Sequence, residues 1–328
     1  MNLRTTFSID PSPHKITYAD RVIFIGSCFA SSIGTRMETG KMAVMINPAG
    51  TVYNPVSVCN TLNTITDGKE FTIDDLHFHD GIWLSFFHYT DFSSEDPEKA
   101  LEKINRKLKE ASDFLKKSAF LFITLGTARI YRWKKTGLVV SNCHKIPSEQ
   151  FSSELLSVKE IVNLWAKQLD RLNSLCPDLR VIFTISPVRH WKDGAHGNQV
   201  SKSILFLSVE ELLKHSSKPQ YFPAYELLMD DLRDYRFYDE DMIHPSSAAI
   251  NYIWEAFSGS YFDKNTMKIW HEAVRITKAC NHRFNADNLT KKKIFAEKIL
   301  TQIHEIEKKV PSINFSDEFS YFQKLLKD

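Results

Sequence analysis

The chain has 328 residues, 43% hydrophobic and 25% charged, with 42 Lys and Arg against 40 Asp and Glu for a formal charge of +2. These proportions belong to an ordinary folded domain and exclude a disordered segment, and so mild a charge argues against a surface built for nucleic acid. No run of about 18 apolar residues is present to span a bilayer, and the N-terminal segment MNLRTTFSIDPSPHK lacks the apolar core of a secretory signal, so a cytoplasmic location is expected.

The length favours one large α/β domain at 1–260 with an appended piece at 261–328. Continuous apolar runs of strand length predict buried strands at Val22–Ile25, Ala43–Ile46, Ala119–Leu125 and Val181–Ile185. Between the first pair and the second lie a predicted hairpin at His77–Phe92, turning at Asp80-Gly81, and a helix whose stripe is Leu101, Ile104, Leu108, Ala111 and Leu115. A second hairpin is predicted at Ile130–Val140, turning near Lys135–Gly137, and both hairpins suit a rim or lid. The stripe Val158, Ile161, Trp165, Leu169 and Leu172 marks another helix, opened by Ser157 and Glu160 at capping-box spacing. Such alternation predicts βαβ units and an open parallel sheet covered by helices on both sides. Past about residue 260 the pattern turns all helical, over 265–282, 290–308 and 316–327, separated by Asn281–Asn288 and Pro311–Ser316. Lys291-Lys292-Lys293 reads as a solvated helix start. Cys28, Cys59, Cys143, Cys176 and Cys280 form no CxxC pair and no regular spacing, so reduced thiols are expected.

Chemistry concentrates where the predicted strands end, the place where open parallel sheets bind ligands. Ser27 follows the first strand and precedes a helix, whose free N–H groups stabilise a developing oxyanion. A capping serine would occupy the same position. Far downstream, Asp241-Met242-Ile243-His244 sets a carboxylate three residues before a histidine. That carboxylate can fix the tautomer and leave Nε2 free to take a proton from a hydroxyl. The competing reading is a capping histidine beside an acidic patch. Gly50, after the second strand, is the expected second oxyanion donor, with Gly126 and Thr127 lining the site. Arg189 and His190, after the fourth strand, suit an anionic or sugar group. Cys28 reads as core packing. His77, His79 and His88 read as rim residues, since no carboxylate-rich shell accompanies them.

The string Gly26-Ser27-Cys28-Phe29-Ala30 resembles the signature of the GSCFA domain family, which is similar to the SGNH, or GDSL-like, hydrolases. Phe24–Phe29, Asn47–Pro55, Phe78-His79-Asp80-Gly81, Leu125-Gly126-Thr127, Asn142-Cys143-His144-Lys145, Ser186–His190 and Asp241–Pro245 also resemble blocks of that family, over roughly residues 20–258. The resemblance implies a flavodoxin-like three-layer α/β/α fold. It implies Ser27 and His244 as catalytic pair, Asp241 as support, and the Ser27 amide with Gly50 as oxyanion hole. One departure stands out: the superfamily's glycine, variable residue, asparagine pattern is missing, because Gly126 is followed by Thr127, Ala128 and Arg129. Thr127 is the nearest substitute, and Asn54 or Asn142 could swing in. The expected activity is hydrolysis of an ester, such as an O-acetylated sugar, through an acyl-enzyme, with no metal and no cofactor. The alternatives are an O-acyltransferase using the same residues, or a non-catalytic glycan-binding module using aromatic residues such as Trp83, Phe86, Phe87 and Tyr89.

Overall fold

The structure, a computed structural model, describes residues 5–281 and 289–327. Residues 1–4 and 328 lie outside it, as does the expected interruption Asn281–Asn288 from 282 onward. In chain order the elements are β1 (Arg21–Gly26), α1 (Cys28–Thr39), β2 (Ala43–Ile46), α2 (Pro55–Asp67), β3 (His77–His79), β4 (Ile82–Leu84) and α3 (Pro97–Leu115). Then come β5 (Phe120–Leu125), β6 (Arg129–Trp133), β7 (Val139–Val140), β8 (Phe151–Leu155), α4 (Val158–Leu175), β9 (Arg180–Ile185), α5 (Gly194–Leu212) and β10 (Gln220–Tyr221). A short α6 (Ala224–Glu226) runs into a π-turn at Leu227–Leu232, and α7 (Ser247–Tyr261), α8 (Lys264–Ala279), α9 (Leu289–Lys309) and α10 (Ser316–Lys327) complete the chain.

The central five-stranded parallel sheet has the order β10-β9-β5-β1-β2. All six residues of β5 are buried, as are the last five of β1 and of β9. This is why their sequences read as unbroken apolar runs: helices cover both faces of the sheet. The helices present the stripes their spacing implies. Ile104, Leu108, Ala111 and Leu115 of α3 are buried, with Ala100 beside them in place of Leu101. Ile161, Trp165, Leu169 and Leu172 of α4 are buried behind the Ser157–Glu160 capping box.

Both hairpins form. Asp80 and Gly81 take φ of 49° and 77°, the left-handed pair a two-residue turn requires. Strand β6 pairs with β7 as expected, but also with β8, so the second hairpin is part of a three-stranded sheet. Strand β8 escapes a reading by apolar runs because, of Phe151-Ser152-Ser153-Glu154-Leu155, only Phe151 is buried. Leu84, Phe86, Trp133, Val140, Ile146 and Phe151 make a small core of their own, and Ser141 N donates to Phe86 O at 2.8 Å. The two insertions are therefore packed together rather than hanging free.

Two compact units result. One comprises the residues up to Ser8, Val22–Gly34 and Met45–Ile253; the other comprises Ile9–Arg21, Thr35–Val44 and Trp254 onward. The helical unit is thus not the tail alone, and no single cut near residue 260 separates the two. Within it Ile16 bridges to Phe262, Tyr18 OH donates to Gly40 O at 2.7 Å, and Trp270 Nε1 donates to Arg36 O at 3.0 Å.

Candidate active site

Strands β1, β5 and β9 end in step, with Gly26 opposite Thr124 and Leu125 opposite Ile185. The residues that follow, Ser27, Gly126 and Ser186, leave the same edge of the sheet. The chain steps from β1 outward to β2 and returns on the other side to β5, so Ser27 and Gly126 flank the switch point of the strand order. Gly26 makes this approach feasible: at φ +147°, a Cβ there would lie 2.2 Å from Thr124 O. Asn47, after β2, clamps the turn by accepting from Gly26 N at 2.8 Å and donating to Ser31 Oγ at 2.9 Å.

Ser27 begins α1 with its carbonyl, which accepts from Ala30 N at 2.9 Å, while its amide donates to Thr124 O at 3.2 Å. Ser27 is 2% exposed, and its Oγ makes no hydrogen bond to any of the described residues. The hydroxyl therefore does not cap the helix although it occupies the capping position. Leaving a buried hydroxyl unbonded costs about 1–3 kcal/mol; Ser93, Ser141 and Thr184 share that state, and what sets Ser27 apart is its place at the end of β1 and the start of α1. Beside it, the Cys28 and Phe29 amides open α1 and donate to nothing among the described residues.

Asp241 and His244 form the expected dyad, with His244 Nδ1 2.5 Å from Asp241 Oδ2. Asp241 Oδ1 accepts from the Ile243 and His244 amides at 2.8 and 2.9 Å. These bonds hold the carboxyl down to about 2, the His244 amide first, then the His244 ring, then the Ile243 amide. The turn is closed by Asp239 N donating to His244 O at 2.8 Å and by Ser246 N donating to Phe237 O at 2.8 Å. His244 is half-exposed, and it is not hydrogen-bonded to Ser27 in this structure.

Several expected donors are already engaged. Ser27 N is held by Thr124 O, and Gly50 N donates to Asn47 O at 2.7 Å. Gly50, at φ +83°, is required for another reason: a Cβ would lie 2.1 Å from Tyr89 Cβ. Gly126 N and Thr127 N both donate to Tyr53 O, at 2.7 and 3.0 Å. Thr127 Oγ1 shares a 2.9 Å bond with Ser201 Oγ and accepts from Arg129 N at 3.0 Å. Asn54 is the N-cap of α2, bonded through both side-chain atoms to Ser57 at 2.8 and 3.0 Å. Asn142 shapes its own loop, accepting from His144 N at 3.0 Å and donating to Thr90 Oγ1 at 3.3 Å. Arg189 donates to Met242 O and packs its guanidinium 4.9 to 5.6 Å from the rings of Trp191, Tyr238 and Tyr235. That bond braces the His244 turn.

His190 does lie at the strand ends. A Cβ on residue 126 would sit 3.4 Å from its Nε2, and its ring meets Tyr53 edge-on at 5.5 Å. Burial, and then the Lys202 charge, pull the imidazole down to about 4 against the opposing pull of Asp193, so the ring is neutral at neutral pH.

Helix α5 supplies what the strand-end reading missed. Asn198 Oδ1 accepts from His190 N at 2.9 Å, Ser201 Oγ accepts from Ala128 N at 2.8 Å, and Lys202 Nζ donates to Gly126 O at 2.7 Å and Ser186 O at 2.6 Å. Lys202 is 2% exposed, and burial draws its ammonium down to about 7. The signal was present: Asn198, Ser201 and Lys202 continue the buried stripe Leu205, Val209 and Leu212 at helical spacing.

In the first hairpin the His77 and His79 rings stack at 6.5 Å. His77 stacks on Phe86, whereas buried His88 bonds Ser85 Oγ through Nδ1 at 2.9 Å. Among the described residues no group of three His, Cys, Asp or Glu could hold a metal ion. All five cysteines are unpaired, and Cys28 is partly exposed, with Sγ 3.9 Å from Tyr53 OH. Among the described residues no helix is long and apolar enough to cross a membrane.

A comparison with curated proteins finds no match. The profile of the GSCFA domain protein C-terminal domain matches residues 274–328. The profile of the GSCFA family matches residues 21–257, which span every candidate residue above, and the chain belongs to the GSCFA family.

Proposed function

We propose that the chain is a serine-dependent ester hydrolase of the SGNH kind, with Ser27 as nucleophile, His244 as base and Asp241 as its support. The observation that carries this reading is the buried, unbonded Ser27 hydroxyl at the start of α1. His244 Nε2 takes the Ser27 proton as Oγ bonds to the ester carbon, then gives it to the departing alcohol, and water releases the acyl group by the reverse sequence. The Ser27–His244 bond closes when substrate binds, as catalytic hydrogen bonds often do. The oxyanion is assigned to the free Cys28 amide, one residue past the nucleophile, because the Ser27 and Gly50 amides are engaged. Exposed Trp191 and Tyr235 beside Arg189 offer faces for a sugar ring, which supports a carbohydrate ester such as an O-acetylated sugar. Five unpaired cysteines support a cytoplasmic setting.

The test is hydrolysis of p-nitrophenyl acetate. Ser27→Ala abolishes turnover on this reading, and full retention of turnover refutes it. The engaged amides favour one rival, a glycan-binding module without catalysis. That rival predicts sugar binding by a wild type that never turns over an ester.

A further inference from the structure

A serine site at the end of β1 needs donors for the oxygen that becomes negative, and four backbone amides around it are bonded elsewhere: those of Ser27, Gly50, Gly126 and Thr127. Resting on the reading above, we propose that His190 is a catalytic residue of this site. Its Nε2–H, presented over Gly126, donates to the carbonyl oxygen that becomes negative as Ser27 Oγ adds to the ester.

Three observations carry the assignment. The first is position: His190 Nε2 lies against Gly126, the residue that leaves the sheet beside Ser27, and a Cβ there would come within 3.4 Å of it. Tyr53 links the two sides, with its hydroxyl 3.9 Å from Cys28 Sγ and its ring edge-on to His190.

The second is availability. The His190 ring makes no hydrogen bond to any described residue, although its backbone is fixed by Asn198. Its nitrogens are free for a ligand in a position where the neighbouring amides are not.

The third is support. Lys202 ties Gly126 O and Ser186 O together from beneath, fixing both segments that position the ring. It has no carboxylate partner among the described residues, so the positive charge there is not cancelled by an ion pair. Burial, and then the Lys202 charge where the ammonium is protonated, keeps the imidazole neutral, the form that donates one N–H and is a poor proton acceptor. The division of labour follows: exposed His244, backed by Asp241, moves the proton, and enclosed His190 joins the Cys28 amide in holding the oxyanion.

The test compares His190→Leu, which has no donor, with His190→Gln, which keeps an N–H, in the full chain with p-nitrophenyl acetate. His190→Leu is expected to lower kcat about 10²- to 10³-fold with little change in KM, and His190→Gln to recover about tenfold or more of that loss. Retention of kcat by His190→Leu to within about threefold overturns the assignment, and so does a folded His190→Gln as slow as His190→Leu. Where His190→Leu fails to fold, the wild type with a boronic acid bound at Ser27 gives the answer by NMR. The His190 ring N–H moves downfield on adduct formation, and an unmoved signal overturns the proposal. Ser27-dependent turnover that ignores His190 removes this proposal alone, whereas a wild type that neither turns over ester nor binds boronate at Ser27 removes the hydrolase reading with it.

Discussion

The Arg189 guanidinium donates to the Met242 carbonyl, and so ties the end of β9 to the turn that carries Asp241 and His244. The same group lies against Trp191, Tyr235 and Tyr238, so its position is fixed on several sides. Arg189→Ala frees the turn, and a base displaced by about 1 Å costs on the order of 10²-fold in kcat. Arg189→Lys does not rescue it, because an ammonium cannot both stack on rings and reach the carbonyl as a planar fork does. Steady-state ester hydrolysis checks this. A rise in KM at constant kcat would instead make Arg189 a substrate contact.

The dyad predicts an order of losses. His244→Ala removes the proton acceptor and should lower kcat by roughly 10⁶-fold, while Asp241→Ala, which leaves an imidazole in place, should lower it by roughly 10⁴-fold. Asp241 is held near 2, below its usual value, so its bonds to the His244 turn are complete above the ordinary carboxylate range and are lost only as pH falls through about 2. Protonation of Asp241 therefore does not limit activity above pH 4. An acid limb above pH 4 that disappears in Asp241→Asn would contradict this.

Lys202 predicts a pH dependence of stability. Its ammonium is drawn from 10.5 to about 7 in the folded chain, so between those values the unfolded state binds the extra proton. Stability from this group rises as pH increases from about 7 to 10.5 and is flat below 7. Lys202→Met lacks that rise, and it leaves the Gly126 and Ser186 carbonyls without their donor. Urea midpoints of both proteins across this range, taken as a difference, check the sign. A difference that does not change between pH 7 and 10 would refute it.

Asn54 separates a structural from a catalytic role. Its side chain caps α2 through Ser57, and Asn54→Ala should cost about 0.5–2 kcal/mol of stability with kcat intact. Chemical denaturation and turnover measured on one sample distinguish this from an oxyanion role, which would lower kcat.

What the sequence disclosed follows from burial. Strands β1, β5 and β9 are covered on both faces, so their apolar runs mark them to within a residue. Asp80-Gly81 announces its hairpin because both residues take positive φ. Strands β8 and β10 leave no such trace, one being mostly exposed and the other two residues long. The pairing of Asp241 with His244 could be read from a spacing of three, since it is local. The engagement of Gly50 N by Asn47, of Thr127 by Ser201, and of Gly126 O by Lys202 could not, for it depends on which free groups the fold happens to satisfy. Lys202 is the instructive case: a lysine within the buried stripe of α5 is visible in the sequence, but its acceptors come from two strand ends 16 and 76 residues away.

The central claim is that the Ser27 hydroxyl is a nucleophile, and covalent capture tests it most directly. Full-length protein treated with a fluorophosphonate and mapped by mass spectrometry should carry one adduct, on Ser27. The adduct should be absent from Ser27→Ala and form more slowly in His244→Ala. Folded wild-type protein that takes up no label, or label that persists in Ser27→Ala, would contradict the account.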